Sequence, residues 1–328
     1  MSKIGYLITA VVIAIIAGAA AYLLTTPPAA NPTPPAPTPK AAQTPTATAT
    51  TTQTTQTTTT PQKVVLYMAT TTSVKDTGLL DVLIPDFEKW ARSRGYDIEV
   101  RYTAVGTGQA LLMAARGDVD VVIVHAPSLE KQYLENGTLK CRDVIAYNFF
   151  IIVGPKDDPA GARGLTAVEA FKKIAEAKAP FVSRGDKSGT HIMELSLWKK
   201  AIGREPDPAK DTWYISAGAG MGQTLLLANE KKAYTLSDTG TWLRYRDKLP
   251  QLDVIVAAAP DLINIYSFEI VKPSPATKLM AQYMLTRGLE VIGNLTIAGT
   301  PLFTPINKAD PKAMEWIKPA IFGPSCVS

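Results

Sequence analysis

Residues 25–62 hold 16 Thr and 9 Pro among 38 positions, with Lys40 the only charge. A stretch so poor in apolar side chains cannot bury a core, and its prolines keep the chain extended. Everything that folds must therefore lie between Lys63 and Ser328, 266 residues, which is long for one hydrophobic core and comfortable for two lobes. The Thr/Pro tract reads as a stalk, O-glycosylated or bare, that holds this domain away from whatever precedes it. What precedes it is an apolar run of 21 residues from Ile4 to Leu24, with Lys3 the only charge before it. That length matches a membrane span of roughly 20 residues better than a secretory h-region of about 7–15. Residues 1–24 are thus expected to anchor the chain, with a cleavable signal the alternative because small residues cluster at Ala17 to Ala21. Lys3 on the inner side places the domain on the outer face of the membrane.

The whole chain carries a net charge of +5, and Lys3 and Lys40 are its only charged residues before residue 63, which leaves +3 on the domain. So mild and dispersed an excess suits a small anion and argues against nucleic acid. Cys141 and Cys326 are the only cysteines. They are free to form one disulfide outside the cell, but sequence alone does not bring them together.

Along the domain, strand-like and helix-like runs alternate, which predicts an α/β fold with a largely parallel sheet. Strands are expected at Val64–Ala69, Ile98–Val105, Val119–His125, Tyr147–Val153, Phe181–Ser183, Ala233–Leu236, Leu252–Ala257 and Ile263–Val271. Helices are expected at Leu79–Arg94, Gln109–Arg116, Thr166–Ala177, His191–Ile202, Gln223–Lys232 and Thr241–Arg246, with terminal helices inside Thr277–Ile297.

Three times a strand gives way to a helix through a short loop rich in Ser, Thr and Gly. In open α/β sheets ligands bind beyond the carboxyl ends of strands, where helix N-termini offer unpaired N–H groups and positive dipole ends to anions. The first loop, Thr70-Thr71-Thr72-Ser73, supplies four adjacent hydroxyls where an N-cap needs one. The second, Gly106-Thr107-Gly108, combines close backbone approach with a hydroxyl. The third, Ser183 to Thr190, adds the fixed charge and planar donor fork of Arg184 to Ser188, Gly189 and Thr190 at a helix start. A surface ion pair between Arg184 and Asp186 would explain the charges of this loop but not its Ser-Gly-Thr helix start. A fourth loop, Gly218 to Gly222, either lines the same cleft or merely turns the chain.

Enzymatic readings find little support. Gly106-Thr107-Gly108 lacks the Gly-Lys-Ser/Thr continuation of a P-loop, and no Gly-x-Ser-x-Gly elbow exists. Two histidines, His125 and His191, without Cys or carboxylate at ligand spacing make no zinc site. They read as core or cap residues, and Tyr67, Trp90, Trp198, Trp213, Trp242 and Met221 as packing residues. The reading is therefore a non-enzyme without metal or cofactor, with an anchored hydrolase as the alternative from another class.

These loops make the domain, from about Val64 to Pro305, resemble the tungstate-binding periplasmic proteins, the receptors of tungstate ABC importers. The resemblance rests on Thr70 to Ser73 with Gly78-Leu79-Leu80, on Val105 to Ala110, and on Asp120 through Pro127. It continues through Tyr147-Asn148-Phe149, Gly154-Pro155, Asp158 to Gly161, Phe181 to His191, Trp213-Tyr214 and Gly220-Met221-Gly222. It implies a type II periplasmic-binding-protein-like fold of two α/β lobes with the ligand cleft between them. Lobe one would take about 63–147 plus 265–328, and lobe two about 150–258. It further implies ligand contacts from Thr71, Thr72, Ser73, Thr107, Arg184, Ser188 and Thr190, with Gly106 and Gly189 as backbone donors. The ligand would be the oxyanion tungstate or molybdate, with sulfate and phosphate receptors sharing the fold. The partners would be a permease with its ATPase, and the receptor itself would be a monomer. One departure is Thr239, where the family usually carries Arg. Asp186, the nearest acceptor to the Arg184 loop, is expected to face away from the ligand.

Overall fold

The computed structural model describes residues 63–328, so the anchor expected at 1–24 and the stalk at 25–62 lie outside the described residues. Strand β1 (Val64–Thr71) leads through helices α1 (Thr72–Asp76) and α2 (Leu79–Arg92) to β2 (Ile98–Val105), and α3 (Thr107–Arg116) leads on to β3 (Val121–Val124). β2 and β3 flank β1 in parallel. β3 reads Val-Val-Ile-Val and is buried throughout, as a central strand covered on both faces must be. Helix α4 (Pro127–Glu135) then leads into β4 (Cys141–Pro155), a 15-residue strand that belongs to both lobes.

The second half of β4 founds the sheet of lobe two. This lobe adds α5 (Ala167–Glu176), β5 (Phe181–Ser183), α6 (Gly189–Ile202), β6 (Tyr214–Ser216), α7 (Met221–Lys231), β7 (Thr235–Asp238), α8 (Thr239–Tyr245) and β8 (Leu252–Val256). β7 and β8 lie antiparallel on either side of β4, while β5 runs parallel between β6 and Tyr234. The chain returns to lobe one through β9 (Ile263–Ile270), which pairs antiparallel with β4 from Phe149↔Ile263 to Cys141↔Ile270 and with β3. Helices α9 (Pro275–Met284) and α10 (Arg287–Asn294), the small strands β10 (Thr296–Ile297), β11 (Thr300–Pro301) and β12 (Thr304–Pro305), and α11 (Pro311–Ile317) complete lobe one. Two crossings, one inside β4 and one just ahead of β9, join the lobes.

Each lobe has its own core. In α5 the buried residues are Ala167, Ala170, Phe171 and Ile174, the spacing of one helix face, and a Thr166/Glu169 capping box starts the helix. Phe171 and Phe181 pack on Trp198 at ring-centroid distances of 4.3 and 5.0 Å, which centres lobe two under the β5–α6 loop. Lobe one buries Leu66, Met68, Phe87, Phe268, Met280 and Tyr283.

Several boundaries move, for physical reasons. Helices α3, α6 and α7 each begin two residues earlier than expected, because Gly106, Ser188 and Gly220 take the extended N-cap conformation and the residues after them are already helical. The expected strand Tyr147–Val153 extends back to Cys141 because β9 pairs with that part too. The terminal helical stretch divides at Leu285–Thr286. Helices α4 and α11, both opening on proline, were not expected. Tyr67, read as a packing residue, is exposed.

Sequence left the cysteines open; the fold pairs Cys141 on β4 with Cys326 across a separation of 185 residues. The C-terminal segment is also held by Arg142, which donates to the carbonyl of Ala320 and lies over the ring of Phe322. Arg142 Nε donates to Glu130 Oε2 at 2.7 Å, and Glu130 Oε1 in turn accepts from Ala126 N–H, so this buried pair also fixes the loop that follows β3. Glu269 shares the cluster; burial first, and then Glu130, push its carboxyl well above the usual range. Closing so long a loop constrains the unfolded chain, so Cys326→Ser is expected to cost about 2–5 kcal/mol. Differential scanning calorimetry checks this: the midpoint should fall in the variant and in reduced wild type, and an unchanged midpoint in both would refute it.

Candidate functional site

The three loops converge at the seam between the lobes. At the end of β1, Thr70 Oγ1 donates to the Ile123 carbonyl at 2.9 Å and so serves the sheet. Thr71 is the N-cap of α1, its Oγ1 accepting from Val74 N at 3.3 Å, which leaves the hydroxyl proton available to a ligand. Thr72 and Ser73 open α1 and turn their hydroxyls to the other lobe, where Arg184 meets them. Arg184 Nη2 donates to Thr72 Oγ1 at 2.7 Å and Nη1 to Ser73 Oγ at 2.9 Å.

Arg184 is 1% exposed although it lies in a loop. Its Nη2 also pairs with Asp186 Oδ2, while Asp186 Oδ1 accepts from Ser188 N at 3.1 Å. The surface ion pair considered above therefore exists, but it is part of the site and is not on the surface. Ser188 is the N-cap of α6, accepting from His191 N, and Gly189 and Thr190 occupy the first two helical positions, whose N–H groups have no acceptor within the helix.

The Gly106 loop of lobe one closes the third side. Gly108 N donates to the carbonyl of Lys187 at 3.1 Å, a backbone bond between the lobes. A Cβ on Gly106 would stand 2.6 Å from the Asp186 carbonyl oxygen, and one on Gly189 would stand 2.3 Å from that of His125. Glycine is required at both positions for the lobes to come this close.

Three buried hydrogen-bond donors around this junction, Thr107 Oγ1, Thr190 Oγ1 and Arg184 Nε, have no partner among the described residues. Each such group costs on the order of 1–3 kcal/mol, and three at one seam mark a place built for a polar ligand. The geometry thus gathers Thr71, Thr72, Ser73, Gly106, Thr107, Arg184, Ser188, Gly189 and Thr190 at one place. Chemically it is a cage of hydroxyls, helix-start N–H groups and one guanidinium, nearly all donors, which suits an anion rich in oxygen.

Other residues serve the site without having stood out in the sequence. The fourth loop packs against the first: a Cβ on Gly220 would come within 3.0 Å of Thr72 Cβ. His125 stacks on Tyr266 at 4.9 Å, and its Nδ1 lies 2.9 Å from Asn264 Oδ1. Asn264 Nδ2 donates to Asn148 Oδ1, which orients Asn264 so that Nδ1 of His125 carries the hydrogen; Nε2 is then an acceptor, and it has no protein partner. Burial holds His125 neutral, lowering its pKa to about 4. Thr239, standing where the resemblance expected Arg, lies at the start of α8 with its Oγ1 3.5 Å from Phe149 N.

Glu194 is buried on α6 beneath the Arg184 loop, where its Oε1 accepts from Tyr214 Oη at 2.7 Å and Trp198 Nε1 at 3.1 Å. Burial raises its pKa to about 7, against hydrogen bonds from Tyr214, Ser183, Trp198 and the Arg184 backbone that favour the carboxylate. A lone Glu on a helix that turns its Leu197 and Trp198 inward was the available signal in the sequence.

Fold and site together define a two-lobed, anion-receiving solute-binding protein. A family model described as a PBP superfamily domain matches residues 41–287. The tungstate-binding protein TupA of Peptoclostridium acidaminophilum is 40% identical over 253 residues, 73% of this chain and 85% of that protein. A putative ABC transporter anion-binding protein of Haloferax volcanii is 40% identical over 254 residues, 73% of this chain and 71% of the relative. Among solved structures, the tungstate-binding protein TupA of Desulfovibrio alaskensis G20 is 43% identical, with a TM-score of 0.61 over 74% of this chain and 98% of that one. The chain belongs to the PBP superfamily and, within it, to the family of the tungstate-binding TupA proteins.

The raised pKa of Glu194 has a defined consequence for stability. A carboxyl whose folded pKa of about 7 exceeds its unfolded value favours the fold fully below pH 4.5, and that contribution is lost as pH rises through 7. Glu194→Gln removes this slope. Relative to the variant, wild type should lose on the order of 3 kcal/mol between pH 4.5 and 8. Parallel stability–pH curves for the two proteins, measured by urea unfolding, would refute it.

Proposed function

We propose that this chain captures tungstate outside the cytoplasmic membrane and delivers it to the permease and ATPase of an ABC importer. The single observation that carries the reading is a set of buried polar atoms drawn from both lobes, Thr107 Oγ1, Thr190 Oγ1 and Arg184 Nε, that have no hydrogen-bond partner among the described residues. Family membership supplies the ligand: relatives at 35–43% identity are named for tungstate binding.

Thr71, Thr72, Ser73, Thr107, Arg184, Ser188 and Thr190 form the ligand shell in this reading, with Gly106 and Gly189 giving backbone donors. A dianion entering the seam loses its hydration, and each oxygen needs replacement donors. Hydrogen bonds to charged groups contribute roughly 1.5–3 kcal/mol each, so six or more suffice to offset that loss. Tungstate and molybdate are bare dianions near neutral pH and need only donors, whereas hydrogen phosphate also needs an acceptor. Asp186 is a poor one, because its two oxygens are engaged by Arg184 and Ser188 N. Residues 1–24 would tether the receptor, or direct its export, and residues 25–62 would hold it off the membrane surface; no helix among the described residues is long and apolar enough to cross a membrane.

Calorimetric titration of residues 63–328 with tungstate, molybdate, sulfate and phosphate tests the reading. Tungstate is expected to bind tightly, and phosphate at least about a hundredfold more weakly. Phosphate binding as tight as tungstate would mean that an acceptor, such as His125 Nε2, serves the ligand, and the tungstate assignment would fall. Arg184→Ala is expected to weaken tungstate binding by more than about a hundredfold while circular dichroism shows an intact fold. Retained affinity in that variant would remove Arg184 from the shell.

A further inference from the structure

Helix α1 has two ends with different tasks. Thr72 and Ser73 at its start meet Arg184, while Asp76 at its end reaches the opposite lobe at another point. Asp76 Oδ2 accepts a hydrogen bond of 3.0 Å from the backbone N of Gly222, the second residue of α7. The N-cap of α7 is Gly220, which has no side chain to accept from the first turn, and no acidic residue lies in that turn. The N–H groups there would otherwise depend on water.

Asp76 thus does from lobe one what a capping side chain ordinarily does within its own helix, and its charge sits at the positive end of the α7 dipole. The approach depends on a small residue: a Cβ on Gly220 would stand 3.0 Å from Thr72 Cβ. Separating the lobes would necessarily break the bond, since α1 and α7 belong to different lobes. We propose that Asp76 is a closure latch, an interlobe helix cap that stabilises the closed form and slows ligand release without contacting the ligand.

This rests on the reading of the site as a tungstate receptor, and it extends that reading to residence time. A positioning residue of this kind acts on the closed state reached after encounter, so it changes dissociation more than association. Stopped-flow fluorescence with sodium tungstate on wild type, Asp76→Ala and Asp76→Asn separates the two rates. Asp76→Ala is expected to release tungstate roughly five- to tenfold faster with an association rate within about twofold of wild type. Asp76→Asn keeps an acceptor oxygen but loses the charge, and should fall between; it carries the test alone if the alanine variant does not fold. Release as slow as wild type in every folded variant would overturn the latch.

Should wild type fail to bind tungstate, the functional reading falls, and the latch is still measurable without ligand. The two native cysteines are bonded to each other, so spin labels placed through Lys89→Cys and Lys172→Cys report one distance between the lobes. A shift to longer distances in Asp76→Ala would support the latch, and an unchanged distribution would overturn it.

Discussion

The closed arrangement depends on one buried cation. Arg184 belongs to lobe two, yet its Nη1 and Nη2 spend two hydrogen bonds on Ser73 and Thr72 of lobe one. A guanidinium 1% exposed is costly to desolvate unless its donors are met. Asp186 meets it in part, which makes the immediate charge close to neutral. A dianion is therefore not drawn in by a surplus of fixed charge. In the proposed site what remains for it is the unpaired Nε, the hydroxyls of Thr107 and Thr190, and the N–H groups at the starts of α3 and α6, all directional. Affinity from oriented dipoles is less sensitive to ionic strength than affinity from an exposed basic patch, and it reads the shape of the oxyanion.

Those donors are only as well placed as what supports them. Beneath the Arg184 loop, Glu194 joins α6 to Tyr214 of β6, over the Phe171–Phe181–Trp198 cluster. On the other side a chain of hydrogen bonds runs from His125 through Asn264 to Asn148, whose Nδ2 reaches Asp238 and the Leu302 carbonyl. Asn148 and Asn264 sit on β4 and at the start of β9, beside the two crossings that join the lobes. The network therefore connects Gly189, packed on His125, to the crossings between the lobes. Polar side chains at that depth hold a geometry that apolar packing alone would leave free to slide.

Much of the site was legible because local chemistry writes it. Adjacent hydroxyls at Thr70–Ser73, glycines at Gly106 and Gly108, and Arg184 ahead of Ser-Gly-Thr each declare a helix start open to an anion, and each falls at the seam. The alternation of strands and helices likewise pointed to the α/β class, but the largely parallel sheet expected from it is a mixed one, because the long β4 and β9 pair antiparallel with each other and with their other neighbours. What stayed hidden depends on contacts remote in sequence. Asp76 meets Gly222 across 146 residues, and Cys141 meets Cys326 across 185. β4 reads as a short strand until the partner that extends it, β9, is in place. Tyr67 resembles a core residue by type, but the pleat turns it outward. The Arg184–Asp186 pair shows the limit from the other side: two charges two residues apart read equally as surface or site, and only burial decides between them.

The division of labour between lobes follows from these contacts. In the proposed site lobe one brings the Thr71–Ser73 and Gly106–Thr107 donors and lobe two brings Arg184 and the start of α6, so neither would enclose an anion by itself. The direct contacts between lobes within the site are few and polar: Arg184 on Thr72 and Ser73, and Gly108 N on the Lys187 carbonyl. Such contacts exchange readily with water and contribute modestly in net terms. A ligand that satisfies the orphaned donors of both halves at once then adds free energy only to the closed state, which is the condition for closure to report occupancy. A broad apolar interface would have held the lobes together with or without an ion, and a partner that recognises the closed form would then receive no information from it.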